Sequence, residues 1–226
     1  MTLVEKLFAL GIENLSALIV DDRSPDGTGE LAELLSAHYP LTVMHRREKL
    51  GLGTAYVAAF SHLLKRPHAT SPDYILEMDA DLSHDPAAVP MLLAAVKNCD
   101  LVLGSRYVPG GTVVNWGILR RSISRLSNWY ARFVLGVPYR DLTGGFKCYR
   151  RSVLEQIELA SLSSVGYSFQ IETTYRAHRL GYCICEVPIT FTERRFGASK
   201  FNLGIMLESF IRVWRLARWR PKEAHP

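Results

Sequence analysis

The segment "EMDADLSHDP" (77–86) places Asp79, Asp81 and Asp85 directly after the apolar run "DYILEM". Two carboxylates one residue apart repel each other unless a positive group or solvent lies between them. A divalent metal, an Arg/Lys pair or plain water would each answer that. Oxygen ligands suit Mg²⁺ or Mn²⁺, which keep several waters and accept phosphate oxygens. Such an ion would stabilise a diphosphate as a leaving group. If the segment stays extended, Asp79 and Asp81 point to the same side. A second acidic pair, Asp21-Asp22, closes "LSALIVDD". It reads either as a cap on the backbone of the following turn or as a contact to a nucleotide base or ribose. "ERRFGASK" collects Arg194, Arg195 and Lys200. It is either a solvated surface loop or a phosphate clamp, with arginine as a fork and lysine as a point charge. "GLGTAY" has neither the GK[ST] of a P-loop nor a third glycine, and reads as a helix start. His84 reads as a loop residue rather than a ligand. No Cys or Ser carries the motif of an activated nucleophile, and there is no H-E-x-x-H.

The elements that must position these groups follow from pattern. "LSALIVDD", "LTVMH", "DYILEMD" and "DLVLGSR" are short apolar runs bounded by turn residues, as buried strands are. "GELAELLSAHY", "GLGTAYVAAFSHLL" and "DPAAVPMLLAAVKN" have helical spacing, the last with Pro86 in a favoured first-turn position. The alternation predicts a doubly wound, largely parallel α/β sheet. Ligands of such sheets sit at the carboxyl ends of the strands. Asp21, Asp22, Asp79, Asp81 and Arg106 all fall there and are expected along one edge. Further on, 118–136 is a long helix. "DLTGGFKCYRRSVLEQI" is a Gly-rich loop, a strand and a helix. "SFQIETTYRAHRLGY" is a helix ended by Gly181, and "CICEVPITFTE" is one strand. The tail spaces Leu203, Leu207, Phe210, Trp214 and Ala217 as an apolar helical stripe, widened by Met206 and Val213, with Glu208, Arg212 and Arg215 opposite. It reads as a helix docked on the core or as one lying in an anionic membrane surface.

Composition narrows the class. Of 226 residues 48% are apolar and 22% charged, the balance of a folded globular protein. The four cysteines are scattered without a C-x-x-C pair and no signal peptide precedes them, so a reducing, cytosolic setting is expected. No run reaches the ~20 apolar residues of a spanning helix. Net charge is +5, and residues from Arg194 onward carry eight Lys/Arg against two Glu. The basic character therefore belongs to the tail and points to a phosphate-bearing ligand or an anionic membrane. No RRM, KH or helix-turn-helix signature supports a nucleic-acid partner. One domain over 1–200 with a basic amphipathic extension over 201–226 is the expected division.

Taken together, "VDDRSPDGT", "LGLGTAY", "MDADLSHDP", "GSRYVPGG", "DLTGGFKCYRRSVL", "GYSFQIETTYRAHRLGY" and "EVPITFTERRFGASK" occur in an order and spacing that resembles the polyprenol- and dolichol-phosphate mannose synthases of the family 2 glycosyltransferases. The resemblance runs from about residue 3 to about 215. It implies a GT-A fold that binds GDP-mannose and Mg²⁺ or Mn²⁺. It further implies inverting transfer of mannose to a polyprenyl or dolichyl phosphate at the cytosolic face of a membrane, with a membrane-anchoring protein as a further partner. By resemblance, Val20 and Asp22 contact the guanosine. Asp79 and Asp81 hold the metal, and Ala80 touches the nucleotide. Arg106 meets the nucleotide-sugar, and Arg194 and Lys200 grip phosphates. Asp81 and Arg106 are the residues expected to matter most for catalysis.

Two departures qualify the resemblance. Relatives begin with a strand and a "P-T-Y-N-E" type segment, whereas this chain starts at the helix expected after it, "LVEKLFALGIENL". A chain truncated relative to the family is expected. The missing strand would be central, its loss leaving unpaired backbone groups on its neighbours and part of the base pocket absent. Some relatives place Gln where Ser83 stands, so water is expected to fill that position. The chemistry needs no enzymic base: a phosphate monoester carries about −1.5 to −2 charge near neutral pH. The site must neutralise two anions and align them. The competing readings are a UDP-glucose-dependent polyprenyl-phosphate glucosyltransferase and a non-catalytic binder of nucleotide-sugar or lipid phosphate.

Overall fold

A computed structural model describes residues 2–48, 50–67, 71–162, 167–193 and 203–221. The chain divides into two compact units, Met1–Ser71 and Pro72–Pro226.

The first unit begins with α1 (Leu3–Phe8). Its start is fixed by a capping box, in which the Thr2 hydroxyl accepts from Glu5 N–H while the Glu5 carboxylate accepts from Thr2 N–H. Two parallel strands follow, β1 (Ala17–Asp21) and β2 (Leu41–His45), paired from Ala17↔Leu41 to Asp21↔His45. The parallel crossover between them runs through α2 (Thr28–Ser36), and α3 (Leu52–Leu64) packs on β1.

The second unit is built on a four-stranded sheet of order β3-β6-β4-β7. Its strands are β3 (Tyr74–Glu77), β4 (Leu101–Ser105), β6 (Lys147–Arg150) and β7 (Ile184–Pro188). β4 and β7 are parallel, while β6 runs antiparallel to both β3 and β4. That reversal makes Lys147, at the start of β6, the direct neighbour of Glu77 at the end of β3 and of Leu103 in the middle of β4. A parallel ribbon of β5 (Thr112–Val114) and β8 (Thr190–Thr192) completes the strands. The expected single strand over "CICEVPITFTE" is therefore two, separated at Ile189 and belonging to different sheets. Ile189 N–H still donates to Ser105 carbonyl at 3.0 Å while its own carbonyl accepts from Thr112 N–H at 3.0 Å, so the chain changes partner strand at that residue.

Helix α4 (Val89–Ala95) follows a 3₁₀ turn at Pro86–Ala88 and packs on β4 and β7. Next come α5 (Ile118–Leu135), closed by Gly136 at φ 65, and α6 (Arg151–Gln156). In α7 (Tyr167–Arg179), residues 168–177 are all buried. The core gathers Leu92, Leu101, Leu142, Phe146, Tyr149 and Phe169, each fully enclosed.

Helix α8 (Leu203–Ala217) packs against α5 and α7. The Phe210 ring lies edge-on to Tyr130 at 4.3 Å, and Val213 is buried. Trp214, expected on the apolar stripe toward the core, is exposed, as is Ile211. Of the two sequence readings of the tail, the docked helix describes these contacts. Its packed edge runs through Val213 rather than Trp214.

Candidate active site

Within the second unit, β3 ends at Glu77, so Asp79 and Asp81 lie in the turn beyond it rather than in an extended segment. Leu82, at φ 62, reverses the chain. The same-side argument from strand alternation does not apply there. The turn is pinned from within. Asp81 Oδ1 accepts from Ser83 N–H at 3.0 Å, and Ser83 carbonyl accepts from Thr192 N–H at 3.0 Å on β8. The Ser83 hydroxyl is buried without a hydrogen-bond partner, so Ser83 serves the turn through its backbone. Asp85 acts elsewhere, its carboxylate capping the 3₁₀ turn through Ala87 N–H.

His84 is the residue whose role the sequence conceals. It is 1% exposed, stacked on Phe146 at 5.0 Å and edge-on to Phe191 at 5.2 Å. Burial, aided by the charge of Arg106, pushes its pKa down to about 3. The ring is therefore neutral at physiological pH, and its Nδ1 accepts the Asp79 N–H at 3.1 Å. A buried neutral imidazole thus fixes the backbone that carries the first carboxylate.

Arg106 follows β4 and is buried. Its backbone N–H and Nε donate to Asp141 Oδ2 at 2.9 and 2.7 Å, and Nη2 donates to Asp141 Oδ1 at 2.7 Å and to Thr143 Oγ1 at 2.8 Å. Tyr107, Trp116 and Phe191 surround the guanidinium with ring centroids at 5.3, 5.6 and 5.4 Å. Burial alone would raise the Asp141 pKa, but Arg106 outweighs it and holds the carboxyl below its ordinary value. The bidentate fork is the strong form of this pairing. It makes Arg106 the anchor of the "DLTGGF" loop. Asn128 on α5 holds the same loop: its Oδ1 accepts from Leu142 N–H at 2.7 Å and Thr143 N–H at 3.2 Å. Glu186 on β7 accepts from Arg140 and Asp141 N–H.

So held, the loop passes close to the acidic turn. A Cβ added to Gly145 would lie 3.2 Å from Gln170 Nε2 and 3.8 Å from Asp79 Oδ1, and one on Gly144 would lie 3.2 Å from Gly104 carbonyl. The double glycine leaves room for that approach. Beneath it, Glu77 and Lys147 form a buried pair at 3.9 Å. Lys147 Nζ donates to Gln170 carbonyl at 2.7 Å and Thr173 Oγ1 at 3.1 Å, and Tyr149 donates to Glu77 at 3.2 Å. Burial pushes the Glu77 pKa up and the Lys147 pKa down, each partly opposed by its partner.

The first unit carries the other acidic pair. Asp21 is the turn cap: its Oδ1 accepts from Ser24 N–H at 3.1 Å, and its Oδ2 lies 3.4 Å from His45 Nδ1. Asp22 instead pairs with Arg46 at 2.8 Å. Val20 is half-buried opposite Met44. An open cavity of about 640 Å³ is lined by Asp21, Ser24, Glu33, His45 and Arg46 among others. Asp79, Ala80, Asp81 and Arg106 thus belong to the second unit, and Val20 and Asp22 to the first. Arg194 and Lys200 lie outside the described residues.

The family model for glycosyl transferase family 2 matches residues 2–158, more than half of the chain. The chain belongs to glycosyl transferase family 2. It is 48% identical over 206 residues to an undecaprenyl-phosphate mannosyltransferase of Micrococcus luteus, covering 89% of this chain and 83% of that protein. It is 49% identical over 205 residues to a polyprenol monophosphomannose synthase of Mycolicibacterium smegmatis, covering 89% and 75%. Among solved structures, it resembles glucosyl-3-phosphoglycerate synthase from Mycobacterium tuberculosis in complex with Mn²⁺, uridine diphosphate and glucosyl-3-phosphoglycerate. The TM-score is 0.61 at 20% identity, covering 94% of this chain and 71% of that one. The complex of that enzyme with Mn²⁺, UDP-glucose and phosphoglyceric acid gives a TM-score of 0.60 at 19% identity, covering 91% and 69%. At that identity the likeness is one of fold, and it agrees with the expected α/β architecture.

The acidic turn of this family 2 chain suits a hard divalent cation in its chemistry. Asp79 and Asp81 are half-buried carboxylates on a backbone fixed by His84 and Ser83. Among the described residues no set of three or more His, Cys, Asp or Glu side chains gathers as a metal cage. A two-carboxylate holder, with water and phosphate oxygens in the other positions, is the form Mg²⁺ and Mn²⁺ accept. Sequence reasoning missed Asp141, Asn128 and Gln170. The signal for Asp141 lies in "DLTGGF", where an acidic residue opens a glycine-rich loop that needs an anchor.

Proposed function

We propose that the chain transfers mannose from GDP-mannose to a polyprenyl phosphate with inversion at the anomeric carbon. The observation that carries this reading is the approach of the "DLTGGF" loop, anchored through Arg106–Asp141, to the fixed Asp79–Asp81 turn. The names of relatives at 48% and 49% identity supply the sugar and the acceptor class. Asp79 and Asp81 would hold Mg²⁺ or Mn²⁺, with Ala80 against the nucleotide. Bound there, the cation supplies charge neutralisation for the departing diphosphate. Arg106 keeps the loop in register, and its positive charge, shared with Asp141, is fixed before substrate arrives, which is the preorganisation that favours charge movement. Arg194 and Lys200 are assigned to phosphate contact, and Val20 and Asp22 to the base. The acceptor phosphate is itself the nucleophile. One direct displacement of the diphosphate by a phosphate oxygen inverts the anomeric centre.

The test is turnover of labelled GDP-mannose with a short-chain prenyl phosphate and Mn²⁺ or Mg²⁺. A lipid-extractable mannosyl phosphate of β configuration is the expected product. Preference for UDP-glucose would overturn the donor assignment. Binding of GDP-mannose without turnover would overturn catalysis in favour of a binding role.

A further inference from the structure

The cysteines are scattered along the sequence, and the fold of the second unit brings three of them to one end of its sheet. Cys99 leads into β4, and Cys183 leads into β7, which pairs in parallel with β4 at the outer edge of the sheet. Cys185 lies within β7 opposite Val102. Cys183 is exposed, and Cys99 and Cys185 are half-buried, whereas Cys148 is enclosed on β6.

Backbone contacts fix the two strand entries against each other. Asp100 and Leu101 N–H both donate to Cys183 carbonyl, at 2.8 and 3.2 Å, and Cys183 N–H donates to Asp100 Oδ2 at 3.0 Å. From the neighbouring strand β6, Arg150 donates to Asp100 Oδ1 at 3.1 Å and to Cys99 carbonyl at 3.4 Å. The chain bends at Asp100, which frees Cys99 from the alternation that would turn it away from Cys183. The Cys183 thiol reaches back to Asn98 carbonyl at 3.9 Å, the peptide that leads into Cys99. Paired strands lie about 4.8 Å apart with a rise of about 3.3 Å per residue, so a one-residue offset across this pair falls within the Cα spacing of about 4.4–6.8 Å usual for a disulfide. The thiols also act on one another. The Cys183 pKa is raised, first by its hydrogen bond to Cys99, whereas that of Cys185 is pushed up to about 12 by burial first and by Cys99 second. Cys99 thus has both as hydrogen-bonding neighbours, and Cys183 is the neighbour open to a reagent in solvent.

We propose that Cys99 and Cys183 form a reversible disulfide that staples β7 to β4 when the protein meets a small-molecule disulfide such as oxidised glutathione. One protein thiolate attacks a glutathione sulfur, breaking the glutathione S–S bond and releasing one glutathione thiolate from the mixed disulfide. The second protein thiolate attacks the protein sulfur of that mixed disulfide, closing the Cys99–Cys183 bond and releasing the other glutathione. The protein dithiol gives up two electrons and two protons, and both leave as two molecules of reduced glutathione. The thiolate is the reacting form, so exchange quickens as pH rises toward the raised Cys183 value. The bridge closes the whole chain between 99 and 183 into a loop, which restricts the unfolded state. Arg106 follows the opposite end of β4, so the staple sits at the end of the sheet away from the proposed catalytic groups.

The test is equilibration of the full chain with oxidised glutathione at mildly alkaline pH, alkylation of the remaining thiols, and non-reducing peptide mapping by mass spectrometry. Wild-type protein should yield a linked peptide joining Cys99 to Cys183, lighter by two hydrogens than the separate reduced peptides, and dithiothreitol should remove it. Cys185→Ser should keep the bridge, while Cys99→Ser and Cys183→Ser should each lose it with unchanged circular dichroism. The bridged protein should melt about 5–10 °C above the reduced protein, the shift expected of a bridge across a long loop in a chain of this size. Alkylation of Cys99 and Cys183 in full, or their recovery only as separate glutathione adducts, would overturn the inference. A link from Cys185 to either of them in place of Cys99–Cys183 would overturn it as well, and so would a bridge between two chains, seen as a dimer on a non-reducing gel. Equal melting of the bridged and reduced forms would overturn the stapling role.

Discussion

Asp141 makes three hydrogen bonds to Arg106, and both side chains are buried. Removing one charge of such a pair strands the other in a medium that solvates it poorly. Asp141→Asn should therefore cost about 3–5 kcal/mol of stability, measured by denaturant unfolding at neutral pH. The sign of the pH effect follows from the lowered carboxyl pKa. The stabilisation is present above the unfolded-state value of 3.8 and is lost as pH falls through the lower folded value. Wild-type stability should drop as pH is lowered below about 4, and that part of the drop should vanish in Asp141→Asn. If the two proteins show the same acid limb, other carboxylates govern it. Asp79→Ala and Asp81→Ala should keep the fold, since both side chains reach solvent. Each should lower metal-dependent turnover by on the order of 100–1,000-fold, the scale of losing a preorganised charge contact. Unchanged rates in the presence of a chelator would refute the assignment. Gly145→Ala places a methyl 3.2 Å from Gln170 Nε2 beside Asp79. A shift of about 1 Å in a reacting assembly costs up to on the order of 100-fold, so turnover should fall with little change in melting temperature.

At the scale of elements, α5 serves the site through Asn128, whose amide satisfies two backbone N–H groups of the loop and donates to Thr143. Asn128→Ala leaves those buried donors unmet and should cost about 1–3 kcal/mol. Turnover should fall with it, whereas Asn128→Asp should rescue the backbone contacts in part. Comparison by calorimetry and kinetics checks both. The strands β1 to β4 were legible because each is a short apolar run ended by turn residues. Pro86 marked the 3₁₀ turn that leads into α4, and the helix itself begins three residues later, at Val89. β5 was not, because three residues bearing one buried valine carry no period. The split between β7 and β8 was marked by Pro188, but alternation continued across it and hid the change of sheet. The acidic turn was legible as chemistry and not as geometry, since strand alternation stops at Glu77. His84 and Asp141 were illegible in their roles for a shared reason. What defines them are partners distant in sequence or on another element: Phe146 and Phe191 for one, Arg106 for the other.

For the whole molecule, net charge bears on the proposed use of an acceptor held in an anionic membrane. Net charge is +5, and Arg125 on α5 and Arg215, Arg218 and Arg220 near the end of the described residues are exposed. Exposed charges are screened beyond about 10 Å at 0.1 M salt. Turnover with a long-chain acceptor in anionic vesicles should therefore fall as salt is raised. Turnover with the soluble acceptor should change little over the same range. A parallel fall in both would place the salt effect on substrate binding rather than on the surface.

The position of β6 bears on how the chain is made. β3 and β4 are consecutive in synthesis and lie parallel, yet they never pair, because β6 occupies the lane between them. Until residues 147–150 leave the ribosome, each has an open hydrogen-bonding edge, and the native gap between them is about 9.6 Å, two strand spacings. Premature pairing of β3 with β4 would close that lane and exclude Lys147, and with it the loop that must reach Asp79. The second unit therefore cannot mature in step with translation. Its nascent form depends on β3 and β4 being kept apart until their shared neighbour arrives.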